Sequence, residues 1–156
     1  MSLFPPTIVV RHKKENLKKC SLRGLESRED FQFFTYPKCE LPSLEGYVML
    51  TLDAPPLCEE DLHRGLFVLD GTWRYADKMA EQLGPFDGMI PRSIPGHFRT
   101  AYPRRQEGCS DPERGLASIE AIYLAYRLMG RERVLTEELL ANYYWREQFL
   151  QINGLV

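Results

Sequence analysis

The stretch Phe67-Val68-Leu69-Asp70-Gly71-Thr72-Trp73 constrains the fold of this chain more than any other. A short apolar run ends at an acidic residue, followed by a glycine, a hydroxyl residue and a tryptophan. Beyond it the periodicity changes: Tyr75, Ala76, Met79, Ala80 and Leu83 recur at intervals of three and four, as on one face of a helix. A buried strand is therefore expected to stop at Asp70 and a helix to start near Thr72. Open α/β sheets bind ligands at the carboxyl ends of their strands, so Asp70 stands where chemistry would be. The same residues also have a plainer use, with Thr72 as an N-cap and Gly71 as the turn before it.

A length of 156 residues suits one domain with a sizeable core. Hydrophobic residues at 44% and charged residues at 27% are the balance of a globular protein in water. No apolar run approaches the roughly 18 residues of a membrane span. Met1-Ser2-Leu3-Phe4-Pro5-Pro6 lacks the basic and apolar regions of a signal peptide, so a cytoplasmic protein without membrane contact is expected. Cys20, Cys39, Cys58 and Cys109 are widely spread and form no CxxC pair, so no metal is expected and the thiols should be free. His12, His63 and His97 have no metal-ligand spacing. No Ser-His-Asp set, Walker loop or GxGxxG is present. The net charge of −2 gives no support to nucleic-acid binding, which would have to rest on local patches.

Residues 7–13 read as a first strand, and a basic run with Arg11, Lys13, Lys14, Lys18, Lys19 and Arg23 around Ser21 follows. Such a run is usually a solvated face, although Ser21 among these cations would also suit an anionic group. Residues 31–36 and 47–52 read as two further strands, 58–62 as a short helical turn and 66–69 as the fourth strand. The connections are long enough for crossovers, so the sheet should be parallel. The helix at 72–83 should end at Gly84-Pro85. Next comes a punctuated loop in which Arg92, His97, Arg99, Arg104 and Arg105 interleave with Phe98 and Tyr102. Basic and aromatic residues mixed in a loop can hold phosphate while stacking a base. Residues 118–129 read as a helix closed by Gly130, with Glu120 near its positive end. A last helix is expected from an N-cap at Thr136 to Ile152, ending at Asn153-Gly154.

Five blocks in order resemble one superfamily. Leu69-Asp70-Gly71-Thr72-Trp73, with Ala76 and Met79, resembles the signature of DTW-domain proteins. Their relatives, the ribosome-biogenesis aminocarboxypropyltransferases, carry Asp-Cys-Ser-Trp there. Lys18-Lys19-Cys20-Ser21 with Leu25 resembles the Lys-Lys-Cys-Thr stretch of the ribosomal-RNA branch. Arg92-Ser93-Ile94-Pro95, with Phe98 to Pro103, resembles its Arg-x-Leu-Pro segment. Leu116-Ala117-Ser118-Ile119-Glu120-Ala121 resembles the Leu-Ser-x-x-Glu-Ala of both branches. The tail from Tyr144 to Asn153 resembles Trp-Gly-x-x-Phe-Leu-x-x-Asn. Two departures stand out. The cysteine-rich N-terminal motif of many DTW proteins is missing, and the Ala-Asn-Pro-Val-Asn-Tyr-Gly run is replaced by residues 100–106, which leaves the substrate open.

The resemblance implies a single SPOUT-like α/β domain over residues 1–156, a parallel sheet flanked by helices. Its N-terminal part would cover 1–64, and 65–156 would be threaded as a trefoil knot around the cofactor site. It implies S-adenosylmethionine as donor of a 3-amino-3-carboxypropyl group to N3 of a uridine or pseudouridine in structured rRNA or tRNA, by a monomer. Ser21, Leu50, Thr51, Leu69, Thr72, Trp73, Phe98, Thr100, Ala101, Leu116, Ser118 and Glu120 would bind the donor. Among them, Trp73 would pack on the methyl or sulfonium and Ser21 would hold the carboxylate. Glu120 would hold a backbone amide of the knot loop. Asp70 is the candidate base, although an ordinary carboxylate is poorly matched to so weak an acid as uracil N3. Lys14, Lys18, Lys19, Arg92, Arg99, Arg104 and Arg105 would meet RNA phosphates. Two competing expectations share the fold: a SPOUT RNA methyltransferase, and a non-catalytic RNA-binding or ribosome-assembly module.

Overall fold

The computed structural model describes residues 4–12, 22, 24–36, 40–51, 54–70, 81, 88–102 and 116–155. Five strands form one sheet: β1 (Thr7–His12), β2 (Phe31–Tyr36), β3 (Val48–Leu50), β4 (Leu66–Asp70) and β5 (Ile90–Arg92). Their order is β2-β1-β4-β3-β5, and every pairing is parallel. The parallel sheet expected from the long connections is therefore present. Three described helices follow in sequence: α1 (Ser118–Leu128), α2 (Arg133–Glu138) and α3 (Arg146–Ile152). All but one residue of the helix expected at 72–83 lies outside the described residues.

The central strands β1 and β4 are buried on both faces, as their near-continuous apolar sequence requires. Strand alternation divides them. Ile8, Val10 and Phe67 face one apolar cluster with Tyr36 and Tyr47, while Val9 and Leu66 face the larger core that holds α1. Thr7, Val9 and Arg11 therefore share the α1 face of β1, and Leu66, Val68 and Asp70 share that face of β4. Helix α1 is apolar around most of its circumference, which suits a helix covered on two sides. Tyr126 packs on Phe31 of β2 with ring centroids 6.2 Å apart, and Tyr123 meets Phe149 of α3 edge-on at 6.0 Å. The helix ends at Gly130, whose φ of 78° is disfavoured for residues with a Cβ. The next amide, Arg131 N–H, bonds back to Tyr126 O at 3.1 Å, closing the helix in a Schellman turn.

Two expected elements come out differently. Residues 90–92, assigned to a loop because of Pro91, form the edge strand β5. An edge strand pairs on one side alone, so a residue without an N–H is tolerated there. The single helix expected over 136–152 is instead two short helices separated by tight turns. In those turns Leu140, Ala141 and Tyr143 each bond three residues back. Thr136 is not an N-cap; its hydroxyl donates to Glu132 O within α2 at 2.8 Å. The break turns Tyr143 inward, to the first turn of α1.

Candidate functional site

The carboxyl ends of β1 and β4 lie side by side, with Arg11 in register with Asp70. Both side chains face α1, and both are buried. Ser118, the first residue of α1, donates its hydroxyl hydrogen bond to Asp70 Oδ1 at 2.6 Å. Arg11 Nε stands 3.6 Å from Asp70 Oδ2, its Nη2 is 3.5 Å from Glu26, and its guanidinium lies over the Phe33 ring at 4.7 Å. Among the described residues, Arg11 Nε and Nη2 are buried without a hydrogen-bonding acceptor. The carboxylate also lies at the positive end of α1, where negative charge is favoured. Asp70 thus joins two strands and a helix at the ligand-binding edge of the sheet.

In the same first turn of α1, Glu120 is fully buried. Its Oε1 accepts from Thr100 Oγ1 at 2.6 Å and from Ala117 N–H at 2.8 Å. Its Oε2 accepts from Ala101 N–H at 2.9 Å and from Tyr143 Oη at 2.8 Å. A carboxylate offers about four acceptor positions. All are filled by the protein, so Glu120 serves as an anchor for the 98–102 loop and has no position left for a ligand. Asn153 holds the same loop from its other side. Its Oδ1 accepts from Arg99 N–H at 2.7 Å, and its Nδ2 donates to Arg99 O at 2.8 Å and to Phe149 O at 2.9 Å. Phe98 is buried in the core, and Ala101, Tyr102 and Leu116 pack against it. Consecutive residues of an irregular segment are thereby fixed beside the end of the sheet.

Leu50 packs on the larger core, and exposed Thr51 bonds through its N–H to Arg92 O at 2.8 Å. Leu69 packs against the smaller cluster on the opposite face from Asp70. Arg92 directs its Nε to buried Asp61 Oδ2 at 3.2 Å, whereas Arg99 is exposed. Ser21, Thr72, Trp73, Lys14, Lys18, Lys19, Arg104 and Arg105 lie outside the described residues. Arg11, Tyr143 and Asn153 were not singled out by sequence. Arg11 carried one usable signal, a charge in alternation with Thr7 and Val9 on a strand that otherwise reads as core.

The opposite end of the sheet is polar as well but differently built. Asp30, just before β2, receives Arg28 Nε at 2.8 Å, Arg28 Nη2 at 2.9 Å and Tyr126 Oη at 3.1 Å. Tyr126 Oη also lies 2.6 Å from Thr7 Oγ1. Arg131 stacks over Phe4 at 3.6 Å and Tyr126 at 4.2 Å, and donates to Arg64 O at 2.7 Å. Burial pushes the Tyr126 phenol far above its ordinary value of 10.0, with Asp30 adding to the rise against the pull of Arg131. Burial likewise lowers Arg131, opposed by Tyr126 and Asp30.

The fold is thus an open, all-parallel α/β sheet with a polar cluster and a clamped loop at its carboxyl edge. No protein-family model matches the chain, and no curated protein matches it in sequence. Among solved structures it is similar to the SAM-dependent rRNA:acp-transferase Tsr3 from Vulcanisaeta distributa. The TM-score is 0.74 at 22% identity, over 97% of this chain and 79% of that one. That likeness establishes the shared fold along nearly the whole chain.

Proposed function

We propose that the chain is an S-adenosylmethionine-dependent RNA aminocarboxypropyltransferase, acting on N3 of a uridine or pseudouridine in rRNA or tRNA. The observation that carries this reading is the loop 98–102, locked by Glu120 and Asn153 beside Asp70 at the ligand edge of the sheet. It occurs in a chain that shares its fold with an rRNA:acp-transferase over 97% of its length. The SPOUT-like knot implied by the sequence resemblance belongs to the same proposal, as do a monomeric state and a cytoplasmic location. No described helix is long and apolar enough to cross a membrane.

The residues fit such a donor. Adenine and ribose are commonly held by main-chain groups, and Leu50, Leu69, Leu116 and the clamped loop supply main chain near the strand ends. A rigid loop keeps those groups oriented before the ligand arrives, which lowers the ordering cost of binding. S-adenosylmethionine, when bound, supplies an alkyl arm on a sulfonium that leaves as methylthioadenosine. The protein's task would then be chiefly orientation, turning Cγ toward the RNA, and Trp73 is the residue that the sequence resemblance would set against the methyl or sulfonium. Asp70 is assigned the placement of the β4–α1 junction, and it is the candidate acceptor of the N3 proton. The two roles separate in Asp70→Asn. Loss of a base alters the pH–rate profile at saturating donor, whereas loss of placement raises the KM for donor.

The test is calorimetric titration of the wild type and Trp73→Ala with S-adenosylmethionine. Micromolar binding that disappears in the variant supports the donor pocket. A folded wild type that binds none of it contradicts the proposal.

A further inference from the structure

We propose that Arg64 and Arg92 form a phosphate clamp for the RNA backbone, pre-set by the buried carboxylate of Asp61. This inference rests on the reading of the chain as an RNA-modifying enzyme and adds a site to it.

Asp61 is fully buried at the end of the 3-10 turn Glu59–Asp61. Its Oδ1 receives Arg64 Nε at 3.0 Å and its Oδ2 receives Arg92 Nε at 3.2 Å. The Cys58 N–H adds a bond to Oδ2 at 3.2 Å, which fixes the carboxylate to its own turn. Both arginines therefore approach through Nε, one to each oxygen of a single group. The Arg92 Nη1 donates to Pro91 O at 2.9 Å. Arg92 Nη2 and both Nη atoms of Arg64 meet no protein acceptor among the described residues. The two side chains remain 23% and 37% exposed, so these donors are within reach of solvent.

Two guanidinium ions around one carboxylate leave these three groups with a net positive charge and several N–H donors without an acceptor among the described residues. That is the complement of a phosphate, which arginine recognises through paired N–H bonds. A purely structural clip would need one arginine, since one guanidinium can satisfy both oxygens, as Arg28 does for Asp30. Arg92 ends β5 in register with Leu50, whereas Arg64 precedes β4 and its carbonyl meets Arg131 at the amino end, so the clamp flanks the sheet rather than the Asp70 cluster. Of the neighbouring acids, Glu59 and Glu60 are both exposed, and the Glu59 side chain lies near Gly130. Phosphate contacts of this type position RNA without reading its sequence.

The test uses two fluorescein-labelled RNA stem-loops of unrelated loop sequence, with affinity measured across a salt series. Arg64→Gln and Arg92→Gln should each weaken both RNAs equally, by roughly three- to tenfold. Each should also make log K less steep against log salt by about 0.7 to 0.9. Asp61→Asn and Glu60→Gln separate geometry from bulk charge, because each removes one negative charge. Glu60→Gln should tighten RNA slightly, while Asp61→Asn should weaken it, because the amide keeps one acceptor oxygen and turns an NH2 toward the other guanidinium. Melting curves verify that each variant is folded, and Arg64→Lys, which keeps the charge but not the fork, stands in for any that is not. Tighter binding by Asp61→Asn, unchanged binding by Arg64→Gln, or no RNA binding by the wild type would overturn the clamp. Loss of S-adenosylmethionine rather than RNA in Arg64→Gln would assign the pair to the donor and overturn it too. Failure of the wild type to bind S-adenosylmethionine, with these RNA effects intact, would remove the transferase reading and leave the clamp.

Discussion

Two buried aspartates lie at opposite ends of the sheet, and their surroundings differ. Asp30 at the amino end is gripped by a two-pronged guanidinium and a phenol, all within 3.1 Å. Asp70 at the carboxyl end accepts a short bond from the Ser118 hydroxyl, and the Arg11 guanidinium stands 3.6 Å away. The first is a closed network whose members span β1, β2 and α1, and its use is to fix the fold. The second lies near a loop held by Glu120 and Asn153. Polar groups are costly to bury in either place. At the amino end the cost is offset by mutual bonding, whereas at the carboxyl end two Arg11 donors have no acceptor among the described residues.

The sharpest way to break this contrast is Asp70→Asn. Transfer should fall by on the order of a hundredfold, because slight misplacement of reacting groups is that expensive. Stability should change by only about 1 kcal/mol. A stability loss with full activity would put Asp70 in the same class as Asp30. Glu120→Gln comes next. An amide facing four donors must leave at least one of them unmatched, so stability should drop by about 2 kcal/mol and S-adenosylmethionine affinity should fall with it. Urea midpoints at unchanged m-value report the first effect and calorimetry the second. If donor affinity survives in a folded variant, the clamped loop is not part of the donor site.

Asp30→Asn tests the other end. Weakening a mostly buried pair should cost about 2 kcal/mol, discounted for the partial exposure of Arg28, and leave donor affinity unchanged. Altered donor affinity would show that the ends are coupled. The smallest effect concerns pH. Folding raises the Tyr126 phenol above its ordinary 10.0, so its protonated form favours the native state. That contribution is complete below about pH 10 and declines as pH rises toward the folded value. The alkaline slope of wild-type stability should therefore be shallower in Tyr126→Phe, read from urea midpoints on either side of that pH. Equal slopes would mean that the phenol ionises in the fold as readily as in water.

Much of the carboxyl end was legible because its elements begin and stop on local signals. An apolar run ending in Asp70 marks a strand end, and Ser118 to Glu120 mark a helix start, whatever lies elsewhere. The remainder depended on contacts made across the chain. Asn153 looks like a helix stop, yet its partner Arg99 is 54 residues away. Leu139, Leu140 and Tyr143 continue a helical spacing, but the chain turns between α2 and α3, and Tyr143 reaches Glu120 from that turn. Pro91 argued against a strand because nothing local shows that β5 lies at an edge. Arg92 reads as a surface cation until the fold brings Asp61 beneath it.

The central claim is the identity of the transferred group. The most direct measurement is incubation with rRNA and S-adenosylmethionine labelled in its carboxyl carbon, followed by analysis of RNA and nucleoside products. Label in the RNA with release of methylthioadenosine is the predicted result. Unlabelled RNA with S-adenosylhomocysteine, or no product from a protein shown to be folded, would contradict it.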